Sequence, residues 1–317
     1  MNIALSATFG IFQSVLLGDF NIEGEICSKI DKLVPRISTV RQICWLSSSE
    51  NRFQFLAIVG GMGQQKDSIL NISTIRIEKG SNSEREMANA MYLAGFDVKD
   101  VHMTDLITGR ETLEDVQFIG AVGGFSNSDV LGSAKGWAGA FKYNAKAKQA
   151  LENFFQRPDV LSVGICNGCQ LFMELDLINP EHDQQGLMGY NDSNKHESNF
   201  TSVHIQPNNS VMLSSLAGST LGVWISHGEG KFNLPKTEDH YNIVAKYGYK
   251  GYPNNPNGSV FNTAMLCDKT GRHLVTMPHI ERSTFQWNWA NYPNGRKDEV
   301  SPWLEAFVNA RLWIENF

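Results

Sequence analysis

A cysteine with a glycine two residues away on either side is the feature of this sequence best suited to do chemistry. In Leu161-Ser162-Val163-Gly164-Ile165-Cys166-Asn167-Gly168-Cys169-Gln170, an apolar run leads into Gly-x-Cys-x-Gly. This is the thiol counterpart of the Gly-x-Ser-x-Gly nucleophile elbow. The turn is tight, so the flanking positions must be small, and Gly164 and Gly168 meet that need. The elbow would present Cys166 at the N-terminus of a new helix, where unpaired amides and the helix dipole favour a thiolate. The Asn167 amide would sit where an oxyanion develops in acyl transfer. A cysteine taken alone reads as a buried core residue; the paired glycines at a strand-to-helix junction point to a nucleophile. Cys166 and Cys169 also form a Cys-x-x-Cys pair, which admits a redox dithiol or half a zinc site. A zinc site needs two more ligands, and there is no second Cys-x-x-Cys.

A cysteine nucleophile needs a base, and the base needs a group to orient it. Among eight histidines, His279 follows the apolar run His273-Leu274-Val275-Thr276-Met277 and Pro278. It would lie just past a strand end, the edge at which parallel α/β sheets bind ligands. Glu281 is two residues on, and in extended chain such residues point the same way. His-x-Glu by itself reads as an ordinary surface loop. Together with a thiol elbow upstream it completes a Cys166–His279–Glu281 triad.

The elements that must position these groups alternate between strand and helix from residue 71 onward. Strands are expected at Ile72 to Ile77, Phe96 to Val101, Phe118 to Val122, Val160 to Ile165, Thr201 to Ile205, Leu221 to Ser226, Asn242 to Lys246 and His273 to Met277. Ser83 and Glu86 fit a capping box for a helix that buries Met87, Ala90, Met91 and Ala94 and stops at Gly95. Ala138 to Phe155 reads as one helix. Another begins at the elbow, with Leu171, Phe172, Leu175 and Ile178 at helical spacing, and Ser301-Pro302 opens a last one. This alternation implies an α/β fold with a mostly parallel sheet covered on both faces. Residues 1–70 carry apolar runs such as Ile43-Cys44-Trp45-Leu46 and Phe55-Leu56-Ala57-Ile58-Val59, punctuated by Gly60, Gly61 and Gly63, but no motif. They remain unassigned: a small appended subdomain, a poorly ordered remnant of an upstream region, or the tail of a larger neighbour. Residues 71–317 form the catalytic domain.

With 317 residues and 42% hydrophobic content, the chain can bury one large core or two small ones. A net charge of -6 without a Lys/Arg run argues against nucleic acid as a partner. Five irregularly spaced cysteines, in a chain too long to need disulfides, suggest a reducing compartment. No basic-then-apolar leader and no run of membrane-spanning length is present, so a cytoplasmic protein without a membrane partner is expected.

Two stretches carry a resemblance. Gly164-Ile165-Cys166-Asn167-Gly168-Cys169-Gln170 and Met277-Pro278-His279-Ile280-Glu281-Arg282 resemble the class I, triad glutamine amidotransferases. Within these, Glu78 to Glu86, Gly123-Gly124-Phe125-Ser126-Asn127-Ser128-Asp129 through Gly139, and Trp224-Ile225-Ser226-His227-Gly228-Glu229-Gly230-Lys231-Phe232 are similar to the glutaminase domain of the phosphoribosylformylglycinamidine synthases, in their large fused form. The resemblance runs from about residue 75 to the C-terminus. It implies a flavodoxin-like sheet flanked by helices. It implies Cys166 as nucleophile, His279 as base and Glu281 as its orienter. Backbone amides of Gly124, Phe125 and Asn167 would serve the oxyanion, and Gln170, Ser226, Gly228 and Glu229 would contact glutamine. No metal or cofactor is implied in this chain; ATP and Mg would belong to a synthetase domain or subunit acting as partner. Residues 1–70 match nothing in that family, and the ATP-binding and nucleotide-substrate domains are absent. That leaves two other readings: a detached segment that keeps the fold but not the activity, and a cysteine-elbow hydrolase or thiol chaperone of similar shape.

Overall fold

The apolar runs that carry the motifs become the middle of one large sheet. The computed structural model describes the backbone of residues 40–47, 53–59 and 71–76, and residues 80–317 in full. The chain divides into two units, Met1–Lys66 and Asp67–Phe317. In the first, β1 (Val40–Ser47) pairs antiparallel with β2 (Phe53–Val59). These strands contain the two apolar runs noted in the sequence; the glycines at 60, 61 and 63 lie outside the described residues.

The second unit holds a nine-stranded sheet. Its strands are β3 (Asn71–Arg76), β5 (Asp97–His102), β6 (Phe118–Ala121), β8 (Leu161–Ile165), β10 (Glu197–Ile205), β11 (Thr220–His227), β13 (Asn242–Tyr247), β14 (Thr263–Cys267) and β15 (His273–Thr276). Their order is β11-β10-β13-β14-β15-β8-β6-β3-β5. The expected helix-flanked α/β sheet is therefore present, and it is mixed. From β15 to β5 every pairing is parallel; from β15 to β11 every pairing is antiparallel. Burial follows position in the sheet, high in the middle and lower at the edges. Every residue of β6, β8, β14 and β15 is buried, as for strands covered on both faces. In β11 burial alternates through Leu221, Val223, Ile225 and His227, as for an antiparallel strand with one face inward.

Six helices lie among the described residues: α1 (Glu84–Leu93), α2 (Met103–Thr108), α3 (Lys135–Tyr143), α4 (Ala145–Gln156), α5 (Asn167–Glu174) and α6 (Trp303–Asn316). Helix α1 buries Met87, Ala90 and Met91 as its spacing predicts. The expected capping box does not form: Ser83 is left-handed (φ 71°) and its side chain caps nothing. The single helix expected over Ala138 to Phe155 is two. Asn144 adopts an extended conformation and caps α4 by accepting the Ala147 amide at 3.0 Å, which ends α3 at Tyr143. Helix α5 stops at Glu174, so Ile178 is buried from outside it. Strand β14 was not anticipated. Two short ribbons complete the unit: β4 (Ser81–Asn82) with β7 (Gly123–Gly124), and β9 (Leu187–Gly189) with β12 (Lys231–Asn233). No helix among the described residues is long and apolar enough to cross a membrane.

Candidate active site

The elbow is built by close contacts that leave no room for a methyl group. Strand β8 ends at Ile165, and α5 begins two residues later at Asn167. A Cβ on Gly164 would lie 2.6 Å from the Gly168 carbonyl oxygen, and one on Gly168 would lie 2.1 Å from the Ala121 carbonyl oxygen. Both glycines are thus required for α5 to sit this tightly on β8 and β6. Between them Cys166 is held at φ 52° and ψ -104°, a conformation side chains rarely adopt. Its amide donates to the Thr276 carbonyl at 2.8 Å, which ties the nucleophile to the end of β15. The thiol is 5% exposed and donates to the Ser226 carbonyl at 3.5 Å.

His279 arrives from the same strand end. After β15 and Pro278, its amide donates to the Trp224 carbonyl at 2.8 Å, and a short 3-10 turn (Ile280–Arg282) follows. That turn folds Glu281 back onto the imidazole, with Nδ1 to Oε1 at 2.7 Å. Both side chains are buried. Burial alone would lower the pKa of His279; the Glu281 carboxylate and the Cys166 sulfur outweigh it and raise the pKa from 6.5 to about 10. Burial would likewise raise Glu281, but the imidazolium opposite holds it below its usual value. Cys166 and His279 meet over Gly123, where a Cβ would lie 2.9 Å from His279 Cε1 and 3.4 Å from the Cys166 Cβ. Cys166, His279 and Glu281, expected as a triad from sequence, are thus brought together. Their electrostatics put the proton on His279 at neutral pH.

The three backbone amides expected to serve an oxyanion divide. Asn167 is the first residue of α5, so its amide has no intrahelical acceptor. Gly124 has φ 113°, and a Cβ there would strike the Gly80 carbonyl at 2.2 Å, so glycine is needed. Phe125 does not fit its expected role. Its amide donates to the Gly80 carbonyl at 2.6 Å and is unavailable to an oxyanion in this conformation.

Of the expected glutamine contacts, Gln170 and Glu229 line one cavity of about 410 Å³, with Asp129, Ser133 and Tyr190. The Gln170 amide donates to the Glu229 carbonyl at 2.8 Å, and the Glu229 carboxylate accepts the Ser133 amide at 3.2 Å. Burial, reinforced by Glu229, lifts the Asp129 carboxyl above its usual value against bonds from Ala134 and Ser133. Ser226 lines a second cavity of about 490 Å³ beside His279 and Glu281, and its hydroxyl meets His196 Nε2 at 3.0 Å. Gly228 lines neither cavity; its carbonyl accepts the Asn191 amide at 2.9 Å. Sequence reasoning gave no role to Asp129, Ser133 or His196. Asp129 could have been singled out as the acid within a Gly/Ser-rich loop. Nothing local marks His196. Cys169 is fully buried, and burial with the neighbouring Cys166 sulfur raises its thiol well above the usual value, so it makes a poor redox partner.

Comparison with known proteins agrees with this geometry. The profile of the CobB/CobQ-like glutamine amidotransferase domain matches residues 72–314. A probable phosphoribosylformylglycinamidine synthase of Caenorhabditis elegans is 41% identical over 266 residues, covering 74% of this chain and 20% of that protein. The Homo sapiens phosphoribosylformylglycinamidine synthase is 40% identical over 263 residues, with 74% and 20% covered. The chain thus spans about a fifth of the length of these relatives. The solved structure of PurLQS from Thermotoga maritima matches in fold with a TM-score of 0.59 at 23% identity, over 78% of this chain and 99% of that one. A nucleophile elbow, a buried His–Glu pair and a family profile spanning residues 72–314 lead to one statement: the chain belongs to the CobB/CobQ-like glutamine amidotransferase domain family.

Proposed function

We propose that this chain is the glutaminase part of a phosphoribosylformylglycinamidine synthase. It hydrolyses glutamine through a Cys166 thioester and supplies ammonia to the ATP-dependent formation of formylglycinamidine ribonucleotide in purine synthesis. The observation that carries the reading is the buried His279–Glu281 pair, 2.7 Å apart, set beside a cysteine on a strained elbow. In the proposed sequence the Cys166 sulfur attacks the amide carbon of glutamine. The tetrahedral oxyanion is met by backbone amides at Asn167 and Gly124. The C–N bond breaks as the imidazolium of His279 gives its proton to the leaving nitrogen, so ammonia departs and the thioester remains. Neutral His279 then takes a proton from water, the hydroxide attacks the thioester carbonyl, and glutamate leaves with return of the sulfur. Glu281 holds the imidazole in one tautomer throughout. The cavity beside Gln170 suits the amino-acid end of glutamine, since Asp129 and Glu229 offer carboxylates to an ammonium group.

ATP and Mg are expected in the synthetase part, not in the glutaminase fold of residues 72–314. The commitment of the Phe125 amide to Gly80 supports dependence on that part, because one backbone donor is turned away from the site. The test replaces Cys166→Ala in the chain joined to its synthetase. Glutamine-dependent turnover is expected to vanish while ammonia-dependent turnover survives. Undiminished glutamine use in the variant overturns the reading. Failure of a glutamine-like electrophile to label Cys166, alone and with the synthetase, favours an inert segment.

A further inference from the structure

Ser83 stands where a helix-capping serine belongs, yet it does not cap. An N-cap serine normally has extended backbone and accepts an amide of the first turn with its hydroxyl. Ser83 instead has φ 71° and ψ 12°, its carbonyl accepts the Met87 amide at 2.9 Å, and its side chain makes no cap bond. The left-handed conformation costs a non-glycine residue energy, so something must hold it. Part of the hold is Asn82, whose Oδ1 accepts the Ser83 amide at 2.8 Å and also a bond from Arg282 Nη2. This places the residue directly before α1 against the turn that carries Glu281.

The result is a hydroxyl turned into the buried centre. Ser83 is 1% exposed, and its Oγ has no other hydrogen-bond partner. Glu281 is 2% exposed, and its Oε2 also has none, because His279 occupies Oε1. The two orphans sit on segments that pack together, the start of α1 and the 280–282 turn, which the bond from Arg282 to Asn82 also ties. The Ser83 hydroxyl helps draw the Glu281 carboxyl down. Ser83 Oγ also lies 3.7 Å from the Cβ position over Gly123 at which His279 and Cys166 meet. A buried carboxylate with a free oxygen is costly, as is a buried hydroxyl without an acceptor. A bond from the Ser83 hydroxyl to Glu281 Oε2 would satisfy both.

We propose that Ser83 is a positioning residue of this site: its hydroxyl donates to Glu281 Oε2 and fixes the carboxylate, and through it the ring of His279, in a four-membered line that runs Ser83, Glu281, His279, Cys166. The proposal rests on the glutaminase reading above for its catalytic meaning. It does not need that reading for its structural content. Ser83 touches no reacting atom. Its effect falls on the step rate and its pH dependence, and glutamine binding is left alone.

The test compares Ser83→Ala with Ser83→Gly. Glycine accepts the left-handed backbone without strain, so it separates loss of the hydroxyl from damage to the turn. In the chain joined to its synthetase, both variants are expected to lower kcat for glutamine about tenfold with KM and ammonia-dependent turnover unchanged. In the isolated chain, proton uptake by Glu281, followed by NMR through the ring resonances of His279, is expected to move up by about one to two pH units. The acid limb of glutamine-dependent kcat should move with it. If Ser83→Gly keeps the wild-type titration and kcat, Ser83 is only a turn residue and the proposal is overturned. If the wild-type enzyme uses no glutamine, the glutaminase reading falls, while the titration still decides whether Ser83 holds Glu281.

Discussion

The two ends of β15 carry buried histidines in opposite states. His273 opens the strand and His279 follows its close, and both are 4% exposed. At His273 burial prevails over the Asp268 carboxylate, with Arg272 adding to it, and the pKa drops from 6.5 to about 4. The ring meets Ser162 Oγ at 3.0 Å and serves the core as a neutral polar group. At His279 a carboxylate in direct contact with Nδ1 reverses the outcome, and the pKa rises to about 10. His227, with both ring nitrogens unpartnered, goes the way of His273 and falls to about 3, through burial and the charge on His279. Burial sets the direction for a histidine in this core; a bonded carboxylate at one site inverts it. That single inversion separates the ring beside Cys166 from the other two.

The contrast can be broken from either end. The largest effect is expected from His279→Asn, which removes the charged imidazole beside the sulfur. Glutamine turnover should fall about 10³-fold, and His273→Asn should leave it within about twofold. Glu281→Gln should turn His279 into a second His273: the ring pKa, followed by NMR, falls from about 10 to below 6.5, and glutamine turnover drops on the order of 10²-fold. A ring still charged at neutral pH would show that something other than Glu281 holds the proton. A smaller effect, on stability alone, is expected at the other end. His273→Asn loses the bond to Ser162 and should cost about 1–2 kcal/mol in denaturant unfolding.

The remaining effect is the shape of stability against pH, with glutamine turnover not involved. His279 is raised above the 6.5 of an unfolded chain, so its contribution is complete below pH 6.5 and is lost as pH climbs toward 10. His273 and His227 are depressed, so theirs are complete above 6.5 and are lost as pH falls toward about 4 and about 3. Glu281 is also depressed, and its contribution disappears as acid protonates it. Stability measured by urea unfolding should therefore decline on both sides. In Glu281→Gln the alkaline decline should vanish; its persistence would refute the assignment.

What could be read in advance was local. The Gly164 and Gly168 spacing encodes the elbow, because a two-residue offset on either side of a nucleophile is a steric demand of one turn. His279 and Glu281 were legible because they lie three and five residues past the end of β15. The rest depends on contacts far apart in sequence. Ser83 has the composition of a cap, and only Asn82, Arg282 and Glu281 explain why it faces inward. The Phe125 amide is spent on Gly80, which no motif shows. Asn144 splits a continuous helical pattern through its own side chain. Strand β14 escaped notice because it is short and buried at every position, so it carries no polar–apolar alternation to reveal it.

The ribbon of β4 and β7 consists of two residue pairs, Ser81 with Gly124 and Asn82 with Gly123. So slight a seam contributes little rigidity of its own. The thiol has no such slack, since α5 rests against the Ala121 carbonyl with no space to slide. Tuning of this centre from outside therefore has a soft place to act: unzipping Gly80 from Phe125 would free the Phe125 amide while the sulfur stays pinned, and the shift would be passed through Asn82 to Arg282 and the turn that carries Glu281.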